Sequence, residues 1–547
     1  MSAVKERFLV TSALPYANGP VHVGHAVGAY LPADIHVRYR RLKGDDVVFV
    51  CGTDEHGTPI SVAADNEGVS PQVIVDKYHK IQADAFARLG VEFDNFSGTA
   101  RPPHHKLSQE FFTRILKKGL IYEKTVKRPY CTNCKRFLPD RYVKGVCPSC
   151  QSADQRGDQC EKCGKQLEPH ELLKSYCVIC RNPPEMRETK HWFFKLSEFS
   201  EPLRVWIEGN SHWPDNARKF ALGWIKEGLQ DRAITRDLSW GIPVPLKGAE
   251  GKVLYVWFDA PIGYISSTIE WAKNVGKPDE WRTYWTKPTK IIHFIGKDNI
   301  PFHTIIWPAT LMAEGSYVLP WQIASNEFLN LERQKVSTSR GWVIWLHDIL
   351  NEFDADAVRY YLISIAPETH DSDFSLTEFQ EKVNKELIGT LGNFINRSLT
   401  FIAASKGGVV PKPNNFDSED KELIALMEKA PAEIGEWIEK LSARNALSTL
   451  LTLAQRGNEY FQHKEPWKNE NDTTLYVCAN LVRTLAILMN PMLPFSSEKV
   501  WAMLGEKGSV RSEKWSSAGE LNVKAGRKLG KVQALYVKIE NDKIKNY

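Results

Sequence analysis

Apolar residues fall in two rhythms along this chain. FLVTSAL at 8–14, DVVFVCG at 46–52 and KIIHFIG at 290–296 are short runs with almost no polar side chains, each leading into a loop rich in Gly, Asp or Pro. Such runs predict strands covered on both faces, as in a parallel sheet. KVLYVWFDAPIGY at 252–264 has the same look and predicts another strand with its turn. Between the first two runs, GHAVGAYLPADIHVRYRRLKG predicts a helix with a basic last turn, a glycine stop at Gly44 and a kink at Pro32. Residues 8–60 thus form a β-α-β unit, whose ligands bind at the carboxyl ends of its strands. From about residue 375 the rhythm changes to amphipathic helices such as KVNKELIGTLGNFINRSLTFI and NLVRTLAILM, with GVVPKPNNFDSED as a long loop between them.

With 547 residues, 42% hydrophobic and 25% charged, the chain reads as a soluble multi-domain protein rather than a disordered or fibrous one. A net charge of +5 is too small to identify a partner. No run reaches the roughly 18 apolar residues of a membrane span, and the amino-terminal residues lack a signal-peptide core, so a cytosolic protein is expected. Between 130 and 185 apolar periodicity gives way to Cys, Gly, Pro and charge. Eight of the ten cysteines lie there as four Cys-x-x-Cys pairs: Cys131/Cys134, Cys147/Cys150, Cys160/Cys163 and Cys177/Cys180. Two such pairs make one closed tetrahedral thiolate site, so the module predicts two structural Zn2+ ions rather than disulfides or a redox pair. Spacing leaves the pairing of the knuckles open. Cys51 and Cys478 read as small core residues.

PYANGPVHVGH, at 15–25, sets His22 and His25 around Gly24 at the corner from the first strand into its helix. A helix amino terminus offers free N–H groups to an anion, Gly24 permits close approach of a planar group, and both imidazoles can donate to phosphate. HVGH resembles the His-Ile-Gly-His signature of the class I aminoacyl-tRNA synthetases, and KVSTS at 335–339 resembles their Lys-Met-Ser-Lys-Ser loop. ALPYANGPVHVGH, CGTDEHGTPI, YVWFDAPIGY, HFIGKDN with FHTIIWP, and KVSTSRG are similar, in order and spacing, to the methionyl-tRNA synthetase family over nearly the whole chain.

The resemblance implies an α/β Rossmann-type parallel sheet split by a zinc-binding connective insert and followed by an α-helical anticodon-binding bundle. It implies a sheet divided into 1–120 and 226–325, the insert at 121–225, a signature-loop and stem-contact domain at 326–385, a bundle at 386–527 and a terminal peptide at 528–547. It also implies formation of methionyl-adenylate from methionine and ATP, with Mg2+, and transfer to tRNA(Met). His22, His25, Lys335 and Arg236 would be catalytic, and Gly24, Gly296, Asp298, Ser337, Thr338 and Ser339 would join the first three in holding ATP. Leu14, Tyr16, Trp257, Ala260, Pro261, Tyr264 and His303 would line the methionine slot, with Asp54 receiving the ammonium. Asn393, Arg397 and Trp467 would read the anticodon. The same analogy favours a nested metal arrangement, with 147, 150, 160 and 163 on one ion and the outer four on the other.

The chain departs from the family signature at Thr338, a hydroxyl where the second lysine is expected; Arg340 or Arg236 is then the candidate replacement cation. A catalytically silent tRNA-binding protein and another class I synthetase are the competing readings. The interval at 120–225 leaves little space for the editing domain of the valine, leucine or isoleucine enzymes. A monomer is expected.

Overall fold

The computed structural model describes residues 5–545 apart from 140–141, 158–159, 161, 164–166, 168, 337–340 and 470. Strand β1 (Arg7–Ser12) leads through the histidine corner into helix α1 (Leu31–Lys43), then β2 (Asp46–Thr53), α2 (Pro71–Leu89), β3 (Asn95–Gly98) and α3 (Pro102–Lys117). Two long antiparallel strands, β4 (Ile121–Cys131) and β5 (Glu185–Phe194), form an arm paired from Ile121 with Phe194 to Tyr130 with Glu185, and the cysteine module lies beyond its far end. Helix α4 (Ile262–Asn274), β6 (Lys290–Gly296) and β7 (Gln322–Asn326) then complete the first domain.

The central sheet has the order β7-β6-β1-β2-β3, every pair parallel. Alternate residues of its strands enter two different cores. Phe8, Val10 and Phe49 pack with α1, while Leu9, Val48 and Val50 pack with α4. This two-sided burial is why the strands lack a polar face. The order reverses between β1 and β6, and the crevice above such a reversal is where α/β sheets bind ligands.

One expected strand is absent. Only Val253–Leu254 pairs in the KVLYVWFDAPIGY run, with Thr235–Arg236, and the rest turns helical at Val256–Asp259 and again in α4. The apolar residues here suit a buried helix as well as a strand, and Pro261, which has no N–H for a ladder, sits at the amino-terminal cap of α4. Pro32 likewise falls in the first turn of α1 instead of its middle, preceded by a π-helical stretch at Ala26–Tyr30.

Beyond β7, a hairpin of β8 (Leu329–Leu331) and β9 (Gln334–Lys335) precedes helix α5 (Ala355–Ser364). The bundle follows as α6 (Asn393–Ser405), α7 (Ser418–Glu439), α8 (Ala443–Lys464), α9 (Asp472–Met489) and α10 (Pro494–Met503). Helix α9 is buried nearly all round, its Asn480 and Arg483 included, the latter paired with Glu513 at 2.8 Å. Among the described residues, no helix is long and apolar enough to cross a membrane.

Sheet and bundle are joined by Arg359 of α5, which is wholly buried. Its guanidinium donates to Asp34 of α1 at 2.8 Å, to the Leu89 carbonyl at 3.2 Å, and to the Pro491 and Met492 carbonyls at 2.9 and 2.7 Å. Arg38 holds the same carboxylate at 2.9 Å. Replacing Arg359 with methionine orphans three buried carbonyls, so Arg359→Met is expected to destabilise the fold by about 3–5 kcal/mol, read as a lowered thermal midpoint.

Candidate active site

The corner after β1 is built by its own imidazoles. His22 is the N-cap of the short helix Val23–His25, and its Nδ1 accepts from the backbone N–H groups of Gly24 at 3.1 Å and His25 at 3.3 Å. The Nδ1 of His25 accepts in return from the His22 N–H at 3.2 Å. In both neutral rings the proton therefore sits on Nε2, which is left to donate to a ligand. The rings stack with centroids 3.7 Å apart. Burial first, and His25 second, hold His22 well below the ordinary imidazole range. A side chain at position 24 would meet the His22 ring at 3.0 Å, so the stack requires glycine there.

The segment after the signature loop is stitched to this corner. Val23 N–H donates to the Ile344 carbonyl at 3.1 Å and Leu346 N–H to the Val21 carbonyl at 2.9 Å. On the other side, Leu329 of β8 lies 3.8 Å from where a Cβ on Gly24 would stand. Lys335 is exposed on β9, the strand paired with β8, and its ammonium lies 5.5 Å from the Phe328 ring. Its charge acts on Asp298 and Asp371. Ser337, Thr338, Ser339 and Arg340 lie outside the described residues. Asp298 follows β6 in a single 3-10 turn and folds its carboxylate over Gly296, where a Cβ would come within 2.8 Å of Oδ1.

A second group adjoins the corner. Asp54, 4% exposed at the end of β2, is tied to the β1 loop by its N–H to the Pro15 carbonyl and its carbonyl to the Ala17 N–H, both 2.8 Å. Leu14 lies against the start of α4 at Gly263. Trp257 stacks on Phe302 at 3.4 Å with 9° between the planes. Ala260 and Pro261 lead into α4, where the Tyr264 hydroxyl donates to Nε2 of His303 at 2.8 Å. The Asn299 carbonyl, 3.1 Å from Nδ1, can only accept, so it fixes the His303 proton on Nδ1. Burial lowers His303 to about 4, so the ring is neutral.

Arg236 is placed differently. Its guanidinium stacks on Tyr255 at 3.5 Å, donates to the Ala233 and Thr235 carbonyls at 3.1 and 3.0 Å, and lines a small cavity with Arg128, Leu138, His191 and Asp237 on the arm.

The cysteines converge as two tetrads, Cys131, Cys134, Cys177 and Cys180, and Cys147, Cys150, Cys160 and Cys163, the four sulfurs of each lying within 4.8 Å of one another. Facing sulfurs are 3.3 and 3.9 Å apart in the outer set and 3.9 and 3.5 Å in the inner. A tetrahedral ion with bonds of about 2.3 Å sets its sulfurs about 3.8 Å apart, so both sets have the donors and spacing for such an ion. Lys135, Gln151 and Arg181, each just after a knuckle, take left-handed backbone at φ 52°, 56° and 65°. Among the described residues, a handful of buried apolar side chains, Leu138, Tyr142 and Val143 among them, pack around the thiols.

On the bundle, Asn393 donates to Asn458 at 3.1 Å and Arg397 to Gln462 at 3.0 Å, while the Arg397 guanidinium lies over Phe461 and Trp467 at 4.6 and 4.9 Å. Trp467 is 41% exposed. The three residues singled out in the sequence therefore share one polar, aromatic face. Asn458, Phe461 and Gln462 complete it, and the i, i+4 repeat of amides on α8 was the available signal.

Two family models match the chain: tRNA synthetases class I (M) over residues 8–399 and the anticodon binding domain of methionyl tRNA ligase over 410–547. The methionine–tRNA ligase of Pyrococcus furiosus is 50% identical, with 98% of this chain and 76% of that protein covered. That of Cytophaga hutchinsonii is 45% identical, covering 99% and 80%. Among solved structures, Mycobacterium tuberculosis methionyl-tRNA synthetase in complex with methionyl-adenylate superposes with a TM-score of 0.81 at 28% identity, covering 97% of this chain and 99% of that one.

Nitrogen NMR should find His303 protonated on Nδ1 alone and neutral down to about pH 5. Below pH 6.5 an unfolded chain gains a proton that this ring refuses until about 4, so its contribution to stability is lost as pH falls through that window.

Proposed function

The chain belongs to the class I tRNA synthetases of the methionine type, and on that premise we propose how its own residues carry the ligase reaction. The enzyme activates methionine with ATP, forming methionyl-adenylate and pyrophosphate, and passes the methionyl group to tRNA. In the first step a methionine carboxylate oxygen attacks the α-phosphorus and the bond to pyrophosphate breaks. No protein nucleophile is required, so catalysis is orientation and charge stabilisation.

His22 and His25 donate from Nε2 to the phosphates as charge moves onto the leaving oxygens, and Gly24 leaves room for the adenine. Asp298 and Gly296 hold the ribose end. Lys335 follows the pyrophosphate, with Ser337, Thr338 and Ser339 supplying donors. Asp54 takes the substrate ammonium, and Leu14, Tyr16, Trp257, Ala260, Pro261, Tyr264 and His303 enclose the thioether, a polarisable group recognised by shape and aromatic contact. In transfer, the tRNA terminal hydroxyl attacks the adenylate carbonyl and AMP leaves. Asn393, Arg397 and Trp467 receive unpaired anticodon bases by stacking and edge contacts. Arg236 is the fourth residue assigned to catalysis in this reading; its guanidinium lies on the Tyr255 ring at 3.5 Å.

The observation that carries the proposal is the paired Nε2 donors of His22 and His25 at the switch point of the sheet, adjoining the loop that bears Asp54. Two Zn2+ ions in the cysteine tetrads would stabilise a module with little apolar core, and closed four-thiolate coordination leaves no position for chemistry. Mg2+ would enter with ATP as part of the substrate. The chain is assigned the boundaries given above for insert, stem-contact segment and bundle.

ATP–pyrophosphate exchange should depend on methionine and be absent with leucine, valine or isoleucine; activity with leucine alone would overturn the assignment. His22→Ala and Lys335→Ala should each lower kcat about 100-fold or more. Metal analysis of the purified chain should give two zinc per molecule, and Cys160→Ser should lose one of them while retaining the other.

A further inference from the structure

One buried cluster is left unused by these roles. Asp259, fully buried on the short helix that also carries Trp257, accepts from Nδ1 of His56 at 2.8 Å and lies 3.5 Å from Nε2 of His104. His56 is 1% exposed, two residues beyond Asp54, and its backbone N–H points to Asp54 Oδ1 at 3.4 Å. His104 reaches Ser266 of α4 at 3.0 Å through its other nitrogen. The second carboxylate oxygen of Asp259 is buried with no hydrogen-bond partner.

A metal ion is one reading of two imidazoles and a carboxylate within 4.8 Å of one another. The 2.8 Å contact is that of a charge-assisted hydrogen bond, and shorter than the about 3.3 Å ligand edge of a tetrahedral ion with bonds of about 2 Å. We infer instead that Asp259 is a positioning residue for amino-acid recognition. Through His56 it fixes the loop of Asp54 against the helix bearing Trp257, and its buried charge adds to the pull on the substrate ammonium.

The cluster links both ends of the methionine site by one bond. The Asp54 loop belongs to the end of β2 and the Trp257 helix to the start of α4, and the His56–Asp259 hydrogen bond ties their side chains together, with His104 of α3 beside it. Electrostatics points the same way. Desolvation first and the charge of Asp259 second push Asp54 well above the ordinary carboxyl range. Burial would raise Asp259 too, but His56 and His104 outweigh it and hold Asp259 ionised. An arriving ammonium meets two close carboxyls, and ionises the one it touches.

This inference rests on the methionine reading above, and wild-type exchange activity tests that reading separately. Asp259→Asn keeps an oxygen to accept from His56 and removes the charge. It should raise the KM for methionine about tenfold in the exchange reaction, leaving kcat and the KM for ATP within about twofold. The discriminating ligand is 4-(methylsulfanyl)butanoate, methionine without its amino group, used as a competitive inhibitor. Its inhibition constant should be unchanged, because the lost charge acts on the ammonium alone. An unchanged KM for methionine overturns the inference; so does an equal weakening of both ligands, which marks a merely structural role. If Asp259→Asn does not fold, Asp259→Ser, which likewise removes the charge and keeps an oxygen that can accept from His56, is judged by the same ratio of the two ligands.

Discussion

A buried guanidinium ties the two halves of this molecule together, beside the Tyr39 hydroxyl and the Lys43 ammonium that reach Glu439 of the bundle at 2.8 and 2.7 Å. Arg359 satisfies one carboxylate on α1 and three carbonyls, from the end of α2 and from the turn between α9 and α10. Burying an ion is unfavourable unless its donors are matched, and the planar fork of arginine matches four acceptors at once. Helix α1 begins only a few residues beyond His25. The elements that frame the imidazole corner and those that frame the bundle therefore meet at a matched buried charge.

The corner itself shows how backbone folding decides chemistry. Capping a helix normally falls to Ser, Thr, Asp or Asn. Here the imidazoles do it, and spending Nδ1 on the backbone leaves each ring with its donor on Nε2. Gly24 is the condition for this, since any larger residue would strike the His22 ring.

Much of this was readable in the residues. The runs at 8–14, 46–52 and 290–296 read as strands because each is short, mostly apolar and followed by a loop, and the knuckle spacing pointed to thiolate sites because it is set by a tight turn. The run at 252–264 misled because a buried helix and a buried strand have the same apolar text, and only ladder pairing, a property of distant residues, separates them. Arg236, marked as catalytic by its neighbourhood in the sequence, carries its guanidinium on the Tyr255 ring. His56, His104 and Asp259 were invisible for a different cause: they are 48 and 155 positions apart in turn, and no local pattern marks residues that meet across three elements. The polar, aromatic face of the bundle was half legible, since α6 and α8 run parallel and their paired side chains keep one offset of 65 residues.

The nesting of the two cysteine tetrads carries an order of assembly. Closing the inner set joins positions as few as 10 apart, whereas the outer set must join positions 43 apart. Each doubling of a flexible loop adds about 0.6 kcal/mol of closure entropy, so the inner ring forms at about 1.2 kcal/mol less. Once it is shut, the tether between the outer knuckles is effectively shorter. The module is thus wired to assemble from its centre outward, with its junction to the far end of the arm, at Cys131, the last part to lock.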